Sequence, residues 1–229
     1  MDHLQLREKE IFQTLKALKN FNFIIIGGYA VNSYALPRFS IDCDIVIKEK
    51  CELEKIEEEL IKIGYIKVVA DDIDIPYHGS FYRYEKTLEN KFKASIDILF
   101  KEILDRQTNS RFSAEWVFEN SSIQKLKGKT ITEELKVKII DTDALIVMKM
   151  ISCRSTDIRD VFMIITQMKD SEWIKKEIKE RCNLIERLKK LQDKISSEKF
   201  KNDLQGVYGY IDEKIFNKHK KMILEMKED

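Results

Sequence analysis

The chain has 229 residues, enough for one large domain or a compact domain with an appendage, and charged residues make up 35% of it. With only seven glycines and two prolines it is not a low-complexity or linker-like chain, and long regular elements are expected. Lys and Arg (41) nearly balance Asp and Glu (40), so a globally basic nucleic-acid binder is not indicated, although a local basic face stays open. The longest strictly apolar runs, Ala144–Met148 and Val161–Ile165, fall far short of the ~20 residues that span a bilayer. The highly charged opening stretch does not read as a signal peptide. Cys43, Cys51, Cys153 and Cys182 lack CxxC spacing and are expected to be reduced thiols of a cytoplasmic protein, without zinc.

In chain order, Leu4 to Leu18 has apolar residues at helical spacing, and Phe21 to Ile26 is an Ile-rich run expected to be a buried strand ending at Gly27-Gly28. Tyr29 to Leu36 is expected to be helical and to stop before Pro37. Ile41 to Ile47 reads as a strand, Lys50 to Ile63 as an amphipathic helix closed by Gly64, and Tyr65 to Ala70 as another strand. Asp71 to Gly79 is a polar bend, in which His78 has no Ser or Cys partner pattern and is expected at the surface. Phe81–Glu85 and Lys93–Phe100 form an expected hairpin, and Trp116 to Ile140 offers short strand candidates with Gly128 as a turn. Beyond Asp141 the pattern is helical and dense in Lys and Glu, so an α/β unit over 1–141 and a helical unit over 142–229 are expected. The Lys/Arg-rich stretch from Lys175 to Lys201 is interleaved with Glu and reads as solvated helix face. Trp116 and Trp173 are expected to be core or interface aromatics.

The chemistry is concentrated between Phe23 and Ile47. On a strand, residues i and i+2 share a face, so Asp42 and Asp44 project together while Cys43 turns away. Two adjacent carboxylates repel and need a cation; their hard oxygens suit Mg²⁺ or Mn²⁺. Asp97 is a lone acid inside the apolar run Ala94–Phe100, a costly placement unless it is paired or binds metal. If its strand lies beside Ile41–Ile47, three acids converge on one face, as a two-metal phosphoryl-transfer site requires. Gly27-Gly28, after a buried strand and at the start of a short helix, allows the backbone to approach a phosphate.

The order Gly-Gly, short helix, Asp-x-Asp and a distant single Asp resembles the nucleotidyltransferase fold superfamily, the polymerase-beta-like group. More narrowly, Gly27-Gly28-Tyr29-Ala30-Val31 and Arg38-Phe39-Ser40-Ile41-Asp42-Cys43-Asp44 are similar to AbiEii-type and related small prokaryotic nucleotidyltransferases. Leu145–Lys149, followed by Arg154 and Asp157-Ile158-Arg159-Asp160, resembles a helical signature of the same group. The resemblance covers Phe23 to Ile165 in pieces and does not extend to the tail beyond Met168.

The resemblance implies an α/β (α+β) fold, a mixed sheet flanked by helices, with a helical C-terminal half. It implies that Asp42, Asp44 and Asp97 bind Mg²⁺ or Mn²⁺ and are catalytic, with Asp97 also helping to deprotonate the attacking hydroxyl. Gly27 and Gly28 would hold the triphosphate together with Arg38 and Ser40. Lys149 would contact phosphates, with Asp157 and Asp160 orienting Lys149 or Arg154. The implied activity transfers NMP from an NTP to a hydroxyl acceptor on RNA (tRNA among them), protein or a small molecule. A toxin-like role with a cognate antitoxin follows from the narrower resemblance. From the residues alone, several pieces have bland alternatives: Lys149 snorkelling to the surface, and Asp157 as a first-turn acid after a Ser155 or Thr156 cap. A catalytically inactive nucleotide-binding or interaction module with the same fold is the competing reading.

Overall fold

The computed structural model describes residues 2–68 and 77–228; of the expected strand Tyr65–Ala70 and the bend Asp71–Gly79, positions 69–76 lie outside the described residues. α1 (His3–Ala17) buries Ile11, Phe12 and Leu15 along one stripe. β1 is shorter than its apolar run and spans only Ile24–Ile25, followed by α2 (Gly27–Val31). This corrects the expected Tyr29–Leu36 helix, which starts earlier and ends sooner. Asn32 explains the early stop: its amide donates to the Arg38 carbonyl at 2.9 Å and its oxygen accepts from the Arg38 N–H at 3.1 Å. The chain is thereby clamped into a turn instead of a third helical coil.

β2 (Asp42–Ile47), α3 (Lys50–Lys62) and β3 (Ile66–Val68) follow. The hairpin is longer than expected: β4 (Tyr77–Thr87) and β5 (Lys93–Asp105) are joined by a single 3-10 turn at Glu89–Lys91, so 77–79 are strand and not bend. The side chain of His78 lies outside the described ones. β6 (Arg111–Ser113) and α4 (Ala114–Glu119) come next. Trp116 is therefore helical and not in a strand: the Ser113 hydroxyl caps α4 by accepting from the Trp116 N–H. Trp116 and Trp173 stack with centroids 6.1 Å apart. β7 (Ser121–Leu126) and β8 (Leu135–Ile140) form a second hairpin around Gly128.

The remainder is helical: α5 (Thr142–Ser152), α6 (Ser155–Ile164), α7 (Ser171–Lys179), α8 (Leu184–Ser196), α9 (Phe200–Tyr208) and α10 (Glu213–Leu224). The described strands make one mixed sheet in the order β3-β4-β5-β2-β1-β8-β7, with β6 beside β5. β2 sits next to β5 in parallel, and β1 joins β2 antiparallel and β8 parallel. Central strands are buried on both faces, which is why Ile24, Ile45, Val46, Ile96, Ile98 and Ile139 are all apolar and fully covered. One continuous apolar core runs from this sheet into Leu145, Phe162, Leu191 and Phe200 of the helices. Among the described residues, no helix is long and apolar enough to cross a membrane.

Candidate functional site

The parallel pairing of β2 with β5 sets Asp42 opposite Ser95 and Asp44 opposite Asp97. Facing residues on neighbouring strands point the same way, and Asp42 shares the face of Asp44 two residues on. All three carboxylates therefore stand on one face of the sheet, while Cys43 is fully buried on the other. β2 begins at Asp42, where the sheet edge meets solvent, so the acids sit at the strand's open end.

Gly27 lies directly above. Its backbone is left-handed (φ +66°), and a Cβ built there would fall 1.9 Å from Asp44 Oδ2. A Cβ on Gly28 would meet Ser40 Oγ at 2.3 Å and the Arg38 guanidinium at 3.1 Å. The two glycines thus make room for the site's own side chains, in addition to leaving the turn thin. Gly27→Ala is expected to push the Asp44 carboxylate aside and to cost about 1–3 kcal/mol of stability, measurable by urea unfolding. An unchanged unfolding midpoint would contradict this geometry.

A cleft of about 410 Å³ collects Gly27, Gly28, Arg38, Ser40, Asp42, Asp44, Asp97, Lys149, Arg154 and Asp157. Of the residues singled out in the sequence, Asp160 alone is not on its wall; it lies behind and holds the cations there. Arg38 is bidentate to Asp160, with both N–O distances 2.8 Å. Lys149 Nζ reaches Asp157 at 2.8 Å and Asp160 at 3.0 Å. Tyr208, from α9, donates to Asp160 at 2.9 Å. Lys149 is thus a buried, paired cation, not one that snorkels to the surface. Asp157 does not follow a Ser or Thr cap: it accepts from the Arg154 N–H at 3.2 Å and from Ser152 Oγ at 3.0 Å. The guanidinium of Arg154 goes instead to Asp105, at 2.9 Å.

The charge state follows from these contacts. Burial alone would raise Asp160, but Lys149 and Arg38 bring it down to about 2. Burial lowers Lys149 and Arg38, and their carboxylate partners more than reverse this, so both stay charged. Asp44 is pushed well above the ordinary carboxylate range by burial, then by Asp42 and Asp97.

Arg83 was not anticipated from the sequence. It stands on β4 opposite Asp97 and donates from Nε to Oδ1 at 2.8 Å and from Nη2 to Oδ2 at 2.5 Å. Its Nη2 also lies 3.6 Å from Asp42 Oδ2. Burial raises Asp97 and Arg83 pulls it back, leaving it at about 6. Among the described residues, no three acid, His or Cys groups are gathered as they stand into a ready set of metal ligands.

The chain matches no protein-family profile and no curated protein. Among solved structures it is similar to JHP933 from Helicobacter pylori, with 17% identity and a TM-score of 0.50 over 98% of this chain and 91% of that one. It is also similar to a candidate nucleotidyltransferase from H. pylori, with 18% identity and a TM-score of 0.50 over 98% of this chain and 94% of that one. The chain has a nucleotidyltransferase-like fold. At such identities the likeness is one of fold, and it agrees with the mixed sheet flanked by helices expected from the sequence.

Proposed function

We propose that this protein is a nucleotidyltransferase that moves a nucleoside monophosphate from an NTP to a hydroxyl acceptor and releases pyrophosphate. One observation carries the reading: the β2–β5 register puts Asp42, Asp44 and Asp97 on one face, under the Gly27 turn and in a cleft with Arg38, Ser40 and Lys149. A cluster of acids beside cationic and hydroxyl donors suits a triphosphate whose charge is shared with a divalent ion.

The donor set fits Mg²⁺ or Mn²⁺. The oxygens are hard, they come from adjacent strands, and Asp44 is disfavoured as a carboxylate until a cation joins it. Asp42 and Asp44 would hold the ion, which when bound supplies charge neutralisation at the α-phosphate. Arg38 and Lys149, already fixed by Asp160 and Asp157, would present N–H donors to the phosphates with little rotamer entropy left to lose. Ser40 Oγ, packed with Arg38 against Gly28, would donate beside that guanidinium.

The finer reading is an AbiEii-type toxin that modifies tRNA or another RNA and is restrained by a cognate antitoxin; it rests on the Arg38–Asp44 string. The competing reading, a nucleotide-binding module without turnover, draws support from the bidentate hold of Arg83 on Asp97. Incubation with α-labelled NTPs, Mg²⁺ and either bulk tRNA or lysate separates the two. The enzyme yields a labelled acceptor, whereas the module yields only a melting temperature raised by NTP and Mg²⁺. Neither label transfer nor a thermal shift would defeat both.

A further inference from the structure

Arg83 is the charged group at the acid cluster that the transferase reading leaves without a task. It comes from a different strand, β4, and its register partner across the hairpin is Asp97 itself. The pair is bidentate, the geometry in which a guanidinium fixes a carboxylate most firmly. The same Nη2 reaches towards Asp42 at 3.6 Å, so the guanidinium spans two of the three acids from one side. Asp97 is almost wholly buried, so its charge has to be matched within the protein. Three other cleft cations are engaged elsewhere: Lys149 with Asp157 and Asp160, Arg38 with Asp160, and Arg154 with Asp105.

From this arrangement we propose that Arg83 is a built-in counter-cation that occupies the second of the two cation positions a three-acid cluster offers. The site then takes one divalent ion, on Asp42 and Asp44, and Asp97 is a partner of Arg83 and not a metal ligand. The charges agree with this. Three carboxylates less one guanidinium leave two negative charges, the amount one divalent cation neutralises. Each oxygen of Asp97 already accepts from Arg83, so a cation on Asp97 would have to compete with the guanidinium. A guanidinium lodged against Asp97 and Asp42 would compete with a second cation for the same carboxylate oxygens.

This assignment rests on the transferase reading for the identity of the Asp42–Asp44 ion. Its test counts ions and does not need turnover. Mn²⁺ is titrated into the protein saturated with α,β-methylene ATP, and bound metal is read from the loss of the free-ion EPR signal. The wild type and Arg83→Lys are expected to take one Mn²⁺ per chain. Arg83→Gln is expected to take two, the second at least ~10-fold tighter than any second ion on the wild type. Adding Asp97→Asn to Arg83→Gln leaves no buried charge unpaired and should return the count to one. Two ions on the wild type overturn the assignment outright, even where Arg83→Gln fails to fold, and leave the transferase reading intact. A folded Arg83→Gln that still takes one ion also overturns the assignment alone. No Mn²⁺ on any of the proteins overturns this inference and the metal-dependent reading together.

Discussion

Asp44→Asn is expected to abolish nucleotidyl transfer while leaving the protein at least as stable as the wild type. Asp44 lies under Gly27 and beside Asp97, two residues along the strand from Asp42. An amide of the same shape keeps the packing but removes the charge that would share a cation with Asp42. Losing several kcal/mol of charge stabilisation at the reacting phosphate corresponds to a rate at least about 10³-fold lower. Stability should move the other way. Burial, Asp42 and Asp97 all raise Asp44 above its unfolded value, so its ionisation opposes folding. For a carboxylate raised in the folded state, that penalty is absent below the unfolded pKa and grows as pH climbs through the folded one. The variant should therefore melt above the wild type at neutral pH, with the gap closing on acidification towards the ordinary carboxylate range. Labelled-NTP transfer and melting curves across that range test both halves. Transfer within tenfold of wild type would remove Asp44 from the chemistry, and a variant less stable at neutral pH would contradict the crowding of charge around it.

The contrast between Asp44 and Arg83 shows which parts of the site are local in the chain. Asp42 and Asp44 share a face because of strand periodicity alone, and the glycines are two residues from a strand end; both facts are visible in a short window. That β2 and β5 are adjacent in the sheet is not, since α3, β3 and β4 lie between them in the chain and only tertiary pairing brings them together. Arg83 was missed for a more specific reason. The expected hairpin closed over Lys86–Lys91, but the strands run on to pair Thr87 with Lys93, around the 3-10 turn Glu89–Lys91. A shift of register moves every cross-strand partner, so the Arg83–Asp97 pair was illegible until the turn was known. An Arg among the aromatics Phe81, Tyr82 and Tyr84, within one hairpin of a lone Asp in an apolar run, was the available signal. Tyr208 had none: nothing near it in the chain announces that α9 returns to the cleft and donates to Asp160.

Asp160→Asn is expected to cost about 3–5 kcal/mol of unfolding free energy, the range for removing one partner of a buried ion pair. Four elements meet on this carboxylate: the β1–β2 connection through Arg38, α5 through Lys149, α9 through Tyr208, and its own helix α6. Asp160 is 1% exposed and Arg38 is largely covered, so water cannot replace what the carboxylate supplies. Lys149 keeps the charged Asp157, whereas Arg38 keeps the neutral Phe39 carbonyl and Tyr208 hydroxyl, and the cost falls chiefly there. The pH dependence has a definite sign. Asp160 titrates at about 2 when folded against 3.8 ordinarily, so its contribution is complete above the unfolded value and is lost as pH falls through the folded one. That shift is on the order of 2 kcal/mol, less than the substitution costs, because protonation at low pH is credited against the unfolded carboxylate while Asn strands Arg38 at every pH. Urea unfolding at neutral pH measures the first quantity, and melting temperatures between pH 5 and 2 measure the second, where the variant's curve should fall less steeply than the wild type's. A loss below about 1 kcal/mol would mean that Arg38 finds another anion or water, and that the cleft's cations are not held from behind by Asp160.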